Sequence, residues 1–582
     1  VHFYALMAMS LITTQINADE SSDLNSSDTD EIVVTSSILN PSRILNPLYV
    51  IDGSEIEDNA TTSLGEAVDG YLGVSIADYG AAVGQPIIRG MSGPRVKILK
   101  NGLVNRDVSG LGADHLNDID LNDLQQVEII KGPSSLLYAN GTSGGIINVV
   151  DNCIAPEDFT TQEFIAGLET QSVNDGDSQF FNYKDNLNGF NVNVGYKKSE
   201  FGNFDIPDGA IIHEDDHEEE LSYLENSDLE IESTKFGISR SGEWGYFGVS
   251  IDNHESMYGI PYHGEHDDEH PEDPDHPEDP DHPEDDPEEE RIFSSTGQES
   301  FTIKGQYNVM GNLLKSVTYN YRDTDYELIE AEEEGHDGGE HAPTVFANDA
   351  TEYGAIFDLS NDNFIQKISL NFVDEDSSIV GEESFMNPAN NEEFTLGYFV
   401  STDLDVFYLD AGFRIDQIER TGSVTDHDHG DIDYFNIDDD TNSFALSIGR
   451  DLSDSLDVNI GFASVERLPS VIELFMNGPH LATGRLETGN PNLKSETSNN
   501  FDITFNYSND DSYVMASFYI NDVDNYITLL DELDGHDKDD DAVPHAHPEY
   551  EHLIHADYAQ EDAEFRGYEF EFGRTFRLGS GD

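Results

Sequence analysis

The stretch Gln125–Asn152, QQVEIIKGPSSLLYANGTSGGIINVVDN, decides how the rest of the chain is read. Val127 and Ile129 alternate with polar neighbours and mark a strand, and Lys131-Gly132-Pro133 turns the chain. A short Leu136-Leu137-Tyr138 segment follows, then a glycine-rich bend over Gly141–Gly145, then a second strand over Ile146–Val150. Upstream, Leu64-Gly65-Glu66-Ala67-Val68 predicts a short helix ending near Gly73. Pro86–Gly90 and Val96–Lys100 read as strands, with Asn101-Gly102 as a hairpin turn. Residues 46–155 are thus expected to form one compact α+β domain.

Past Pro156 the character changes. Val192, Val194 and Tyr196 alternate with Asn191, Asn193 and Gly195; Phe501, Ile503, Phe505 and Tyr507 alternate with Asp502, Thr504 and Asn506. After a turn at Asn509-Asp510-Asp511, Val514, Ala516, Phe518 and Ile520 begin the next strand. Strands of about ten residues with one apolar face, joined by tight turns and long loops, are what a membrane β-barrel requires. Hydrocarbon demands that every backbone group pair with a neighbouring strand. The competing reading is a soluble sandwich or propeller. The aromatic content (26 Tyr, 32 Phe) and long polar loops favour the membrane barrel.

Composition narrows the function. Lys and Arg number 27 against 120 Asp and Glu, a net charge of −93, which excludes nucleic acid as a partner and attracts cations. A solvated or salt-adapted surface accounts for the same excess equally well. Mean hydropathy is −0.51, and beyond the N-terminus no apolar run reaches the ~18 residues of a membrane helix. The single cysteine, Cys153, rules out an intrachain disulfide framework or a zinc-thiolate cluster. No nucleophile elbow or P-loop is present, so an enzyme is not expected.

The Gln125–Asn152 pattern resembles the end of the plug domain of TonB-dependent outer-membrane receptors. Leu64–Val68, Ile88-Arg89-Gly90 and Arg95–Gly102 are similar to further segments of that plug. The resemblance implies a transmembrane antiparallel β-barrel of the 22-stranded type over 156–582, filled by an α+β plug over 46–155. At ~20 residues per strand and loop, roughly 420 residues fall short of 22 strands, so C-terminal strands are expected to be missing. The implied location is the outer membrane of a Gram-negative bacterium, as a monomer in contact with outer-membrane lipid. Residues 1–18, with an apolar run over Phe3–Ile12 before Asn17-Ala18-Asp19, resemble a signal peptide. Residues 19–45 read as a flexible leader. Within it Glu31-Ile32-Val33-Val34-Thr35 resembles a TonB box, which adds a strand to the energy-transducing partner TonB, itself driven by ExbB/ExbD.

The expected loops carry an unusual chemistry. His270, His276 and His282 each open a His-Pro-Glu-Asp unit, preceded by His263 and His266. Proline at this density forbids helix and ladder, so the segment is extended. Similar tracts hold His213 and His217, His336 and His341, His427 and His429, and His545 and His547. Imidazole and carboxylate without thiolate suit Zn²⁺, Ni²⁺ or Cu²⁺, and ligand type does not choose among them. Low-complexity drift in solvent is the plain alternative. As ligands, such loops would be weak, many-site collectors that lose metal below roughly pH 6.

A defined site is implied by the zinc-receptor (ZnuD-like) branch of the same family. Gly112-Ala113-Asp114-His115-Leu116 resembles that branch's plug loop, in which an Asp-His pair binds the metal. Glu466–Pro469, Glu473–Phe475, Gly478–Thr483 and Gly489–Leu493 resemble its barrel segment. The resemblance gives His480 as the barrel histidine, with Glu352 as the barrel carboxylate by approximate position alone. Asp114, His115, His480 and Glu352 would then form a tetrahedral shell. The expected function is uptake of a divalent ion, zinc first, with no tightly bound cofactor. Arg467-Leu468-Pro469 and Asn490–Leu493 around His480 also resemble haem receptors, where a histidine ligates iron. A Ca²⁺-stabilised structural or adhesive barrel is the third reading.

Overall fold

The computed structural model describes residues 49–58, 63–79, 82–112, 115–207, 210, 222–261, 291–309, 311–333, 343–381, 384–425, 431–480, 483–509, 511–531 and 553–576. The signal segment, the leader and the Glu31–Thr35 segment lie outside the described residues.

The N-terminal domain holds β1 (Tyr49–Asp52), α1 (Gly53–Asp58), α2 (Leu64–Val68), β2 (Val74–Tyr79), β3 (Val83–Ile88), β4 (Val96–Lys100), β5 (Leu103–Val104), β6 (Leu124–Ile130) and β7 (Gly145–Asp151). One sheet has the order β1-β6-β7-β4-β5, and β2 and β3 form a separate hairpin. The two strands read from Gln125–Asn152 pair antiparallel, Ile129 opposite Ile147, while β7 runs parallel to β4. Val127, Ile129, Ile147 and Val149 are wholly buried and form the core with Val68 and Ile88. Asn101 and Gly102 both take positive φ, 56° and 84°, the twist a two-residue hairpin between β4 and β5 needs. The helix expected to reach Gly73 stops at Val68. Asp69 is extended and Gly70 turns left-handed at φ 81°, which ends the hydrogen-bond ladder.

From Glu163–Gln171 to Ile554–Arg574, consecutive strands pair antiparallel into a barrel wall around this domain. Arg291–Asn308, for example, runs in continuous register with Ser316–Glu333. The wall is inverted relative to a soluble protein. On Asn191–Phe201, Asn191 and Asn193 are buried while Val192 and Val194 face outward. Phe444, Leu446 and Ile448 are exposed, whereas Ser443, Ala445 and Ser447, which alternate with them, are buried. Outward apolar and inward polar residues at period two suit lipid outside and a polar filling inside.

Connections alternate in length around the wall. Short turns join Asn308 to Ser316, Asp358 to Phe364, Asp403 to Tyr408 and Asn509 to Ser512. At the opposite rim, longer segments join Phe201 to Leu229, Gly259 to Arg291, Glu333 to Thr344 and Asp531 to Ile554, while the connection from Thr425 to Ile432 is short. Every histidine-rich tract falls in a connection of this second set, so all leave from one rim. The tract histidines themselves (His213, His217, His263, His266, His270, His276, His282, His336, His341, His427, His429, His545 and His547) lie outside the described residues.

Candidate functional site

The two domains meet through ion pairs of both signs. Arg89, Arg95, Lys100 and Arg106 of the plug face Glu569, Glu496, Asp252 and Glu375 of the wall, at 2.6–3.1 Å. Asp123 and Asp120 of the plug face Lys184 and Lys235, at 2.6 and 3.5 Å. Such a seam holds by polar contacts that water can replace, unlike an apolar core.

At the long-loop rim the plug presents the segment 107–118. Gln85 of β3 pins it: its Nε2 donates to the carbonyls of Ser109, Gly112 and His115 at 2.7–2.9 Å. Asp107 closes the base of the loop, accepting from Ser109 N, Ser109 Oγ and Asp118 N. Burial pushes the Asp107 carboxyl up to about 6, against the pull of these hydrogen bonds. Val108 and Leu111 pack into an apolar collar of Phe346, Phe385, Leu474 and Phe475 from the barrel side.

His115 emerges from this loop fully buried. Its ring lies parallel to that of His480, centroids 5.9 Å apart at 13°, and meets the edge of Phe346. His480 is 4% exposed and packs on Phe385. It stands on the strand Asn477–His480, paired with Arg485–Thr488 so that His480 opposes Arg485 and Glu487 is its diagonal neighbour. Glu487 Oε1 lies 3.0 Å from His480 Nδ1 and also accepts from Thr483 Oγ1 at 3.2 Å. A carboxylate at Nδ1 fixes the proton there and leaves Nε2 as the unprotonated ring nitrogen.

The hairpin is set in place by α3 (Val471–Phe475), just before it. Ser470 and Glu473 form a reciprocal capping box, and Arg467 holds Glu473 through two bonds at 2.7 and 3.0 Å. Arg467 also bonds Glu496, the partner of Arg95, so the plug is tied to the base of the hairpin. Gly489 lies against the backbone of Leu474–Met476, where a Cβ would fall 2.8 Å from main-chain atoms. Only glycine permits that approach.

The structure therefore joins His115 of the plug to His480 of the barrel, two residues picked from distant parts of the sequence. Asp114 lies outside the described residues. Glu352 does not join them. It sits on the strand Thr344–Asp358 six residues beyond Phe346, ~20 Å along a strand rising about 3.3 Å per residue. There it opposes Arg322 directly, at 3.4 Å, accepts from Asn371 and stands 4.0 Å from Arg106. Its charge is matched by two guanidinium groups, which corrects its placement in the shell. The carboxylate beside His480 is Glu487, legible in retrospect from the hairpin potential of residues 477–488.

Two imidazoles at this separation can share one ion bound ~2.0–2.1 Å from a nitrogen of each. Among the described residues, no group of three His, Cys, Asp or Glu is already disposed to hold a metal. Beside the pair, a cavity of about 210 Å³ opens between plug and wall, lined among others by Arg106, Asp107, Leu111, Phe346, Glu375 and Arg420.

Comparison with known proteins fits this architecture. The family model described as TonB dependent receptor-like, beta-barrel matches residues 138–581, and that of the TonB-dependent receptor plug domain matches residues 40–146. The vitamin B12 transporter BtuB of Vibrio vulnificus (strain CMCP6) is 25% identical over 169 residues, covering 28% of this chain and 27% of that protein. Among solved structures, the copper transporter OprC superposes with a TM-score of 0.70 at 15% identity, over 91% of this chain and 77% of its own. The hemophore receptor HasR of Serratia marcescens, solved with its hemophore HasA and heme, gives 0.69 at 14%, over 90% and 79%. The FrpB iron transporter of Neisseria meningitidis gives 0.66 at 12%, over 90% and 78%. At these identities the likeness to solved structures is one of fold.

Proposed function

The chain belongs to the TonB-dependent receptor family, whose barrels lie in the outer membrane of Gram-negative bacteria, and we propose that it imports a divalent metal ion, zinc first, across that membrane. The observation that carries this reading is the stacking of plug His115 on barrel His480 at 5.9 Å, with Glu487 at the second ring's Nδ1. Asp114, adjacent to His115 in the chain, supplies the further plug carboxylate. Two imidazoles and a carboxylate without thiolate are a zinc-type donor set.

Holding the ion between two bodies provides for its release. TonB, engaging Glu31–Thr35 and powered by ExbB/ExbD, pulls on the plug. His115 and Asp114 then leave His480, the shell loses two of its three protein donors and affinity collapses. The seam of ion pairs permits that movement, since each group separated can be taken up by water. The acidic histidine-rich connections rooted at the same rim raise the local ion concentration above the site.

Haem uptake through His480 is the reading to test against. It is disfavoured by the parallel His115 ring and the phenyl ring of Phe385, which crowd the imidazole that would have to receive a macrocycle. Calorimetric titration of the purified receptor with Zn²⁺ and with haem decides. A tight Zn²⁺ site that vanishes in His115→Ala and in His480→Ala, over weaker loop binding, is expected. Tight haem binding dependent on His480, with only weak Zn²⁺ binding, would replace the metal-ion reading by haem uptake.

A further inference from the structure

The 210 Å³ cavity between plug and wall has a chemistry that a passing cation does not call for. In a chain of 27 basic and 120 acidic residues, three basic side chains line it: Lys97 and Arg106 of the plug and Arg420 of the wall. Elsewhere on the seam Arg89, Arg95, Lys100, Lys184 and Lys235 each meet a carboxylate of the other body. Lys97 and Arg420 do not. Among the described residues the partly buried Lys97 ammonium has neither a hydrogen bond nor an ion pair. Arg420 is 9% exposed, its Nε donates to the neutral amide of Asn391 at 3.2 Å, and its Nη1 has no partner.

The acids that line the same cavity are engaged by other donors. Glu375 accepts from Arg106, Asn348 and Asn391 at 3.0–3.2 Å, and Glu393 from Asn140 and Asn391 at 2.8 and 3.1 Å. Asp107 is held by Ser109 and the amide of Asp118. Across the wall Asn391 stands directly opposite Glu375 on one side and Arg420 on the other, so an amide occupies the place next to the guanidinium. The charge around Lys97 is correspondingly unbalanced. Burial lowers its ammonium to about 8; Glu393 works against this, while Arg106, Arg467 and Arg420 reinforce it. A buried cation in such company is stabilised by an added anion. The rest of the lining is apolar and includes Val108, Leu111, Phe346 and Ile472. A ligand that satisfies both parts carries negative charge at one end and hydrocarbon at the other.

We propose that this cavity binds a small organic carboxylate, with its charged end received by Lys97 and Arg420 and its hydrocarbon body against Val108, Leu111 and Ile472. The inference stands apart from the metal-import reading, since none of these residues belongs to the His115–His480 pair. Guanidinium and ammonium groups bind a carboxylate through charge-assisted hydrogen bonds, about twice as strong as neutral ones. Lys97 stands on β4 of the plug and Arg420 on the wall strand Tyr408–Thr425. The bound carboxylate therefore joins the two bodies, as Glu569 and Glu496 do for Arg89 and Arg95.

Calorimetric titration of the purified receptor in metal-free detergent buffer tests the site. Butyrate, glutarate and benzoate are the probes, with butyramide and inorganic phosphate as references. Saturable one-site binding of at least one carboxylate is expected, tighter than phosphate, with none for butyramide. Lys97→Gln and Arg420→Gln should each weaken it about tenfold or more. Lys97→Gln also separates binding from folding, because it removes a charge that the folded protein leaves unpaired. Its thermal midpoint without ligand should equal or exceed that of wild type, and the rise that wild type shows on adding the carboxylate should be lost. A lower midpoint in Lys97→Gln without ligand would overturn the site by giving Lys97 a structural part. Absence of saturable binding by all three carboxylates, or binding unchanged in both variants, overturns it as well. Phosphate bound as tightly as the best carboxylate overturns the assignment to an organic ligand.

Discussion

Glu487 reaches His480 Nδ1 at 3.0 Å from the diagonal position of a short hairpin, and so decides which imidazole nitrogen carries the proton. Thr483 braces both partners, donating to the carbonyl of His480 and to Glu487 Oε1. Carboxylates in this position raise the basicity of a ligating histidine and fix its tautomer. Glu487→Gln should therefore weaken Zn²⁺ binding about 10- to 100-fold without abolishing it. His480→Ala should remove the tight site. Competition against a chromophoric chelator measures both, and a Glu487→Gln affinity equal to wild type would remove Glu487 from the site.

Glu352 provides the contrasting case. Between Arg322 and Arg106 it has a structural part, so Glu352→Ala leaves buried guanidinium charge unmatched, at a cost of about 3–5 kcal/mol. Thermal unfolding in detergent should occur earlier, while the Zn²⁺ affinity of the folded fraction stays at the wild-type value. Loss of affinity with unchanged stability would restore Glu352 to the ligand set.

Gln85 binds no ion yet holds the loop that carries His115. Replacing it with alanine leaves the carbonyls of Ser109, Gly112 and His115 without their donor, a loss of about 1–3 kcal/mol. Zn²⁺ affinity should fall about tenfold or more as the imidazole loses its fixed position. Hydrogen exchange of the amides over 107–118 should speed up in the same variant.

Asp107 confers a pH dependence whose sign follows from its burial. Its carboxyl is raised from 3.8 to about 6 in the folded plug, so the folded state retains a proton the unfolded chain has released. Its contribution to stability is greatest below about pH 4, falls as pH rises to about 6 and is constant above, a change on the order of 3 kcal/mol. Urea unfolding of the plug at pH 4.5 and 6.5 should show this decline in wild type and a smaller one in Asp107→Asn.

Deleting residues 262–290, the longest histidine-rich tract, should slow uptake of radioactive zinc at limiting metal and spare it when metal is abundant. Collection raises local concentration, which matters only below saturation. Equal loss at both concentrations would show that the tract is needed for assembly or transport itself.

The amino-acid sequence by itself determined the local elements. The Asn101-Gly102 turn, the two strands around the Gly132–Gly145 bend and the period-two alternation of the wall each depend on neighbouring residues, and each has its physical cause within a few positions. It also singled out His115 and His480, because the segments around them resemble those of a receptor branch. Only the tertiary structure decided their company. Glu352 and Glu487 are both acids on extended segments, and their own chemistry does not distinguish them. Strand register puts one opposite Arg322 and the other diagonal to His480. Gln85 under the His115 loop and His254 against Asp118 are likewise set by how the plug seats within the wall. Ladder pairing and plug seating bring together residues far apart in the chain, and a β-strand's own sequence does not record what lies across from it.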